Sequence, residues 1–125
     1  MEGNIRELCF GTQALGEEIS ARVLLTGGGV QVIICGGSRT HIGAVSIASG
    51  SGQQDMEFPG HRDSVIAKKW AGALKEAGYC PAVVSAGIHY DNISGEEIEA
   101  VVALSDALLG KVLDALKEER NQNVR

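Results

Sequence analysis

The stretch Val30-Gln31-Val32-Ile33-Ile34-Cys35 constrains this chain more than any other. It is mostly β-branched and apolar, and glycines close it on both sides, Gly27-Gly28-Gly29 before and Gly36-Gly37 after. So short a run, bounded this way, suits a strand at the centre of a sheet with both faces covered. Ile5–Gln13 and Ile19–Thr26 precede it as further strand candidates, and Gly27–Gly29 has the conformational freedom of a hairpin turn. Beyond it, Val45 and Ile47 alternate with Ala44, Ser46 and Ala48, so the two sets point to opposite faces. The first half therefore reads as an antiparallel meander.

The period then changes. Ile66, Trp70, Ala73, Leu74 and Ala77 recur at steps of three and four, with Lys68, Lys69, Lys75 and Glu76 opposite, which predicts a helix from about Arg62 to Ala77 stopped by Gly78. Pro81 opens a short apolar strand, Ala82–Ala86. Ser94 and Glu97 stand in capping-box relation and open a second helix to about Glu119. Its stripe is Ile98, Val101, Val102, Leu108, Leu109, Val112, Leu113 and Leu116. Strands first, then helix, strand and helix, predict an α/β (α+β) fold: a two-layer sandwich of a mostly antiparallel sheet with two helices on one face. The polar, glycine-rich Ser49–Glu57 reads as a mobile loop.

A chain of 125 residues with no linker or repeat is one domain, residues 1–125. Aromatics are only 4%, so the core must come from Val, Ile, Leu and Ala. A net charge of −5 argues against nucleic-acid binding, which needs a basic face. Met1–Asn4 has no basic stretch leading into an apolar core, and no apolar run approaches the ~18 residues of a membrane span. A soluble, cytoplasmic protein is expected, with Cys9, Cys35 and Cys80 as buried reduced thiols. A thin two-layer domain leaves one sheet face to cover, which suggests a homo-oligomer.

All three histidines fall in glycine-flanked polar stretches at the ends of apolar segments: Gly36–Gly43 with His41, Phe58–Asp63 with His61, and Ala86–Asn92 with His89. In the first, Gly36, Gly37, Ser38, Arg39, Thr40 and Gly43 have the ingredients of an anion cradle, namely backbone N–H groups, hydroxyls and a cation. No Gly-Lys-Ser/Thr closes it, so it is not a Walker A loop. In the second, His61, Arg62 and Asp63 sit at a helix N-terminus, where anions are favoured, although Asp63 and Ser64 also suit plain capping. In the third, Asp91 can orient His89 and Tyr90 can stack on an aromatic ligand, while Asp91-Asn92 also suits a simple turn. Three imidazoles, His41, His61 and His89, are candidate ligands for a divalent metal, though their spacing matches no helical metal motif.

Together, Gly36-Gly37…His41-Ile42-Gly43, Phe58-Pro59-Gly60-His61-Arg62-Asp63 and Ala86-Gly87-Ile88-His89-Tyr90-Asp91-Asn92-Ile93 resemble the small D subunit of bacterial gallate and hydroxyarylic-acid decarboxylase systems, a prenylated-flavin chaperone-like family. The resemblance runs over about residues 20–117 with the three motifs in order; Thr40 stands where the family often has proline. It implies a non-catalytic partner of a prenylated-FMN-dependent decarboxylase of aromatic acids, one that binds prenylated FMN (or FMN) and delivers or protects it. On that reading Arg39 and Ser38 meet the phosphate, Tyr90 or Trp70 walls the ring, and Ser49–Glu57 serves as a lid. Two other readings stay open: a small metal-assisted hydrolase or lyase using the three histidines, and a purely structural decarboxylase subunit.

Overall fold

The computed structural model describes residues 3–59 and 63–122. In chain order these form β1 (Arg6–Ala14), β2 (Glu17–Thr26), β3 (Gly29–Gly37), β4 (Arg39–Ser49), β5 (Gly52–Glu57), α1 (Ser64–Glu76), β6 (Ala82–His89) and α2 (Gly95–Gln122). The strands make one open sheet in the order β1-β2-β3-β6-β4-β5. Among the described residues only β3 and β6 pair in parallel. The expected mostly antiparallel α+β sandwich is therefore the observed one.

The simple meander is not. β3 and β4 are separated by β6, and a single residue, Ser38, carries the chain from one to the other across the end of the inserted strand. Local pattern cannot report a strand that arrives from 45 residues later; its Val83-Val84 run finds its neighbours only in the tertiary fold. β1 and β2 turn through Leu15-Gly16, both at positive φ, +53° and +81°. That pair of values is the tight hairpin turn matching the sheet's twist.

One face of the sheet builds the core. Ile19, Ala21 and Val23 of β2, Val30, Val32 and Ile34 of β3, Ala82, Val84 and Ala86 of β6, and Ala44, Ser46 and Ala48 of β4 are all buried there. Under α1 the sheet presents mostly alanines, and the bulk comes from the helix: Trp70 and Leu74 are fully buried, with Ile66, Ala67 and Ala71 beside them. Fully burying one such aliphatic side chain contributes about 1.5–3 kcal/mol. Trp70 Nε1 donates to Ser105 Oγ of α2 at 3.1 Å, so both polar groups enter the core satisfied. This places Trp70 in the core, away from any ligand wall.

α2 covers β1 and β2 with Val101, Leu108, Leu109, Val112 and Leu116. Its capping box forms as expected: Ser94 N–H donates to Glu97 Oε1 at 2.9 Å and Glu97 N–H to Ser94 Oγ at 3.1 Å. Ile98, read as part of the buried stripe, is 44% exposed, and all its neighbours in the first turn of this long helix are exposed too. No helix of the described residues is long and apolar enough to cross a membrane.

Three further expectations need correction. Val30–Cys35 is covered on one side only: Gln31 and Ile33 point out of the open face. The Ser49–Glu57 stretch is no mobile lid but a tight turn and the edge strand β5, paired with β4 from Ser49↔Gly52 to Ala44↔Glu57. Its polar side chains are used in place, with Ser46 Oγ donating to Asp55 and Gln53 Nε2 donating to Ser46 Oγ at 2.9 Å. Finally, Cys9 and Cys80 are exposed and Cys35 is half-buried; all three thiols are free.

Candidate functional site

The first histidine stretch is not a loop. Gly36 and Gly37 complete β3, pairing with Ile88 and His89, and Arg39 already begins β4. Gly37 adopts φ +82°, and a Cβ there would overlap the His89 carbonyl oxygen. The chain wraps so closely around that oxygen that Ser38 N–H (2.8 Å) and Ser38 Oγ (3.2 Å) both donate to it. Two donors of the supposed cradle are thereby consumed internally. Arg39 and Thr40 remain exposed, and among the described residues Arg39 forms no ion pair.

His41 sits in a bulge. β4 advances four residues, Thr40 to Ala44, while β6 advances two, Ile88 to Ala86. The extra backbone arches over Gly87, whose missing side chain is what admits it: a Cβ there would overlap the His41 carbonyl. The same carbonyl accepts from Cys35 Sγ at 3.4 Å. Bulges of this kind re-aim side chains beside functional sites.

The bulge breaks the β4–β6 ladder, and Asp63 fills the break. It occupies the N-cap position of α1 yet makes no side-chain cap bond. Instead Asp63 Oδ1 accepts the Ile88 N–H at 3.0 Å, and Oδ2 lies 3.3 Å from His41 Nε2. Asp63 is buried, only 6% exposed. The capping role passes to Glu57, whose Oε2 accepts Ser64 N–H at 3.3 Å and Ser64 Oγ at 2.5 Å.

His89, the last residue of β6, pairs with its own carboxylate: His89 Nε2 and Asp91 Oδ1 are 2.9 Å apart. The two imidazoles meet edge to face, centroids 6.1 Å apart. Two imidazole–carboxylate pairs thus stand together at the carboxyl ends of the parallel strands and beside a helix N-terminus, where ligands of open α/β sheets collect. Such a set can donate and accept hydrogen bonds to a polar aromatic ligand. Burial pushes the Cys35 thiol above its ordinary pKa; the contact with the His41 backbone opposes the rise and the Asp63 charge adds to it.

The site residues read from sequence separate as follows. His41, Asp63, His89 and Asp91 come together, with Arg39 and Thr40 at the rim. Gly36, Gly37 and Gly43 are backbone positions: Gly43 is buried, its carbonyl accepting the Phe58 N–H at 2.8 Å. Tyr90 turns away; its hydroxyl donates to the Ala14 carbonyl at 2.6 Å, and burial, then the Glu17 charge, raises its pKa. His61 and Arg62 lie outside the described residues. Among those described, no group of three or more His, Cys, Asp or Glu is placed to hold a metal ion.

The Cys35–His41 contact was not visible in the sequence, nor was a cavity of about 670 Å³ at the opposite end of the sheet. Leu25, Gly27–Gly29, Tyr79, Cys80 and Leu116 line it, with Arg120 stacked on the Tyr79 ring at 4.2 Å.

A small α+β protein with a histidine–carboxylate cluster at its strand ends is the class defined so far, and the chain belongs to the prenylated flavin chaperone LpdD-like domain family, matched over residues 13–117. It is similar to Protein LpdD of Lactiplantibacillus plantarum, 27% identical over 116 residues, which cover 86% of this chain and 84% of that protein. Its fold is shared by a chain of a chaperone complex for yeast 20S proteasome assembly, with a TM-score of 0.57 at 15% identity over 92% of this chain and 97% of that one.

Proposed function

We propose that this protein is an accessory chaperone that binds prenylated FMN, or FMN, at the His41–His89 end of the sheet and delivers or protects it for a partner decarboxylase of aromatic acids. The observation that carries this reading is the convergence of Arg39, His41, Asp63 and His89 at the strand ends of a prenylated flavin chaperone family member. The donor set suits such a ligand. Arg39 is an exposed cation available to a phosphate, and the partly exposed His89 ring, braced edge to face by His41, offers an imidazole to a heteroaromatic system. The flavin ring supplies the chemistry. Asp63 holds the bulge and His41 in place, Asp91 orients His89, and none of these residues needs to form a covalent bond.

The test is direct titration of the purified full chain with prenylated FMN and with FMN, followed by flavin absorbance and calorimetry. A retained flavin band is the expected result, and Arg39→Ala should weaken binding by about 1.5–3 kcal/mol, the scale of one charge-assisted hydrogen bond. Failure of both flavins to bind at high micromolar concentration overturns the proposal. Unchanged affinity in Arg39→Ala removes Arg39 from the phosphate contact.

A further inference from the structure

The cavity at the end of the sheet away from the histidines is lined by two guanidiniums, Arg6 from the start of β1 and Arg120 from the end of α2. They are held differently. Arg6 is neutralised, its Nη1 and Nη2 meeting Glu119 Oε2 and Oε1 at 2.8 and 3.0 Å. Arg120 is not. Its Nη2 donates to the Ala77 carbonyl at 3.0 Å, and the guanidinium lies 4.2 Å from the centre of the Tyr79 ring. Among the described residues no carboxylate comes within ion-pair distance of it. Gly78, at φ +93°, makes this seat possible, since a Cβ there would stand 3.2 Å from Arg120 Nη2. Capping the end of α1 accounts for one bond to Ala77, but arginine carries five N–H donors, and the side chain is exposed. A cation is thus fixed in place with donors to spare.

We infer that this cavity is a second ligand site, one that takes a small aromatic carboxylate. Its lining sets two cations, Arg6 and Arg120, against one anion, Glu119, in a chain whose net charge is −5. The local excess of positive charge is complementary to an anion, and the planar guanidinium fork matches a carboxylate. Because Arg120 is already anchored, holding the ligand costs little further side-chain entropy. The rest of the lining suits a flat ring. Gly27, Gly28, Gly29 and Gly78 present peptide planes with no side chain in front of them, and Leu25 and Tyr79 add apolar surface. The volume, about 670 Å³, lies within the range of about 300–1,000 Å³ for small-molecule clefts. The cavity lies across the sheet's length from His41 and His89, so the two ends can be filled together. The ligand class matches the acids of the decarboxylase proposed above, although the inference stands without that reading.

Titration of the full chain with benzoate, without flavin and followed by amide NMR shifts, tests this separately from flavin binding. The Gly28, Gly78 and Tyr79 amides should shift saturably in the millimolar range while those of Ile88 and His89 stay still. Acetate, which lacks the ring, and benzamide, which lacks the charge, should each bind about tenfold more weakly or not at all. Arg120→Gln should weaken benzoate by about tenfold or more. Glu119→Gln releases Arg6 from its neutralising partner and should tighten benzoate about two- to fivefold, a gain that a purely structural ion pair would not give. If Arg120→Gln fails to fold, Glu119→Gln and the two ligand comparisons decide. The inference is overturned by an absence of saturable shifts at high millimolar benzoate, by shifts centred on His89, or by acetate or benzamide binding as well as benzoate. Wild-type affinity in Arg120→Gln, or no tightening in Glu119→Gln, overturns it equally.

Discussion

Asp63 is the residue whose removal reports most directly on how the site is held. Its carboxylate does not cap α1, so replacing it leaves the helix start, secured by Glu57, intact. What Asp63→Ala removes is the acceptor for the Ile88 N–H in the broken ladder and the charge 3.3 Å from His41. A hydrogen bond to a charged group contributes about 1.5–3 kcal/mol, and an orphaned donor adds its own desolvation cost, so a loss of about 2–3 kcal/mol is expected. At about 2.1 cal/mol/K of unfolding entropy per residue, a chain this size loses about 4 °C of Tm per kcal/mol, giving a drop of about 8–12 °C. Asp63→Asn keeps an acceptor for Ile88 and loses only the charge, so it should fall by about 4 °C. Calorimetric melts of the three proteins test the stability change, and hydrogen exchange at the Ile88 amide tests the cause. That amide should exchange about ten- to a hundredfold faster in Asp63→Ala. A melt within 2 °C of wild type, roughly half a kcal/mol on this scale, with Ile88 still protected, would refute the bridging role.

Other outcomes follow from the same contacts. Gly87→Ala should cost about 3 kcal/mol or more by driving a methyl into the His41 carbonyl, read as a fall in Tm together with loss of flavin binding; an unchanged melt would show that the bulge is free to move. Leu15→Asn should raise stability by about 0.5–1 kcal/mol in urea unfolding, since a bulky residue at φ +53° is replaced by one that tolerates the left-handed region. The Cys35 thiol and Tyr90 phenol hold their protons more tightly folded than unfolded, so the stability they confer is complete below their ordinary pKa values and is lost as pH rises through the shifted ones. Urea unfolding between neutral pH and about pH 10 should reveal that alkaline decline, and Cys35→Ala should flatten part of it. A decline identical in the variant would remove Cys35 from the account.

Much of the architecture could be read before the fold was seen, because it rests on local signals. The periods of Ile66–Leu74 and Val101–Leu116, the stop at Gly78 and the Ser94–Glu97 box all act within one or two turns of chain, and each appears where expected. Within the described residues, two of the three histidines taken for one site do converge. The roles assigned there were less accurate. Ser38 and Asp63 looked like an anion donor and a cap, the ordinary work of serine beside glycine and aspartate before a helix. Their partners, the His89 carbonyl and the Ile88 amide, lie 51 and 25 residues away, beyond any local rule.

The amino-acid sequence by itself determined both helices, most of the strands, the class of fold and the family, since periodicity, capping and motif spacing are properties of neighbouring residues. Tertiary structure alone decided the rest. It set β6 between β3 and β4, turned a supposed lid into the edge strand β5, and decided for Trp70 between the helix's core stripe and a ligand wall. It also put a buried carboxylate into the gap that the His41 bulge opens. The physical reason is the same in each case: strand order and backbone satisfaction depend on hydrogen-bond partners brought together only when the sheet closes over its helices.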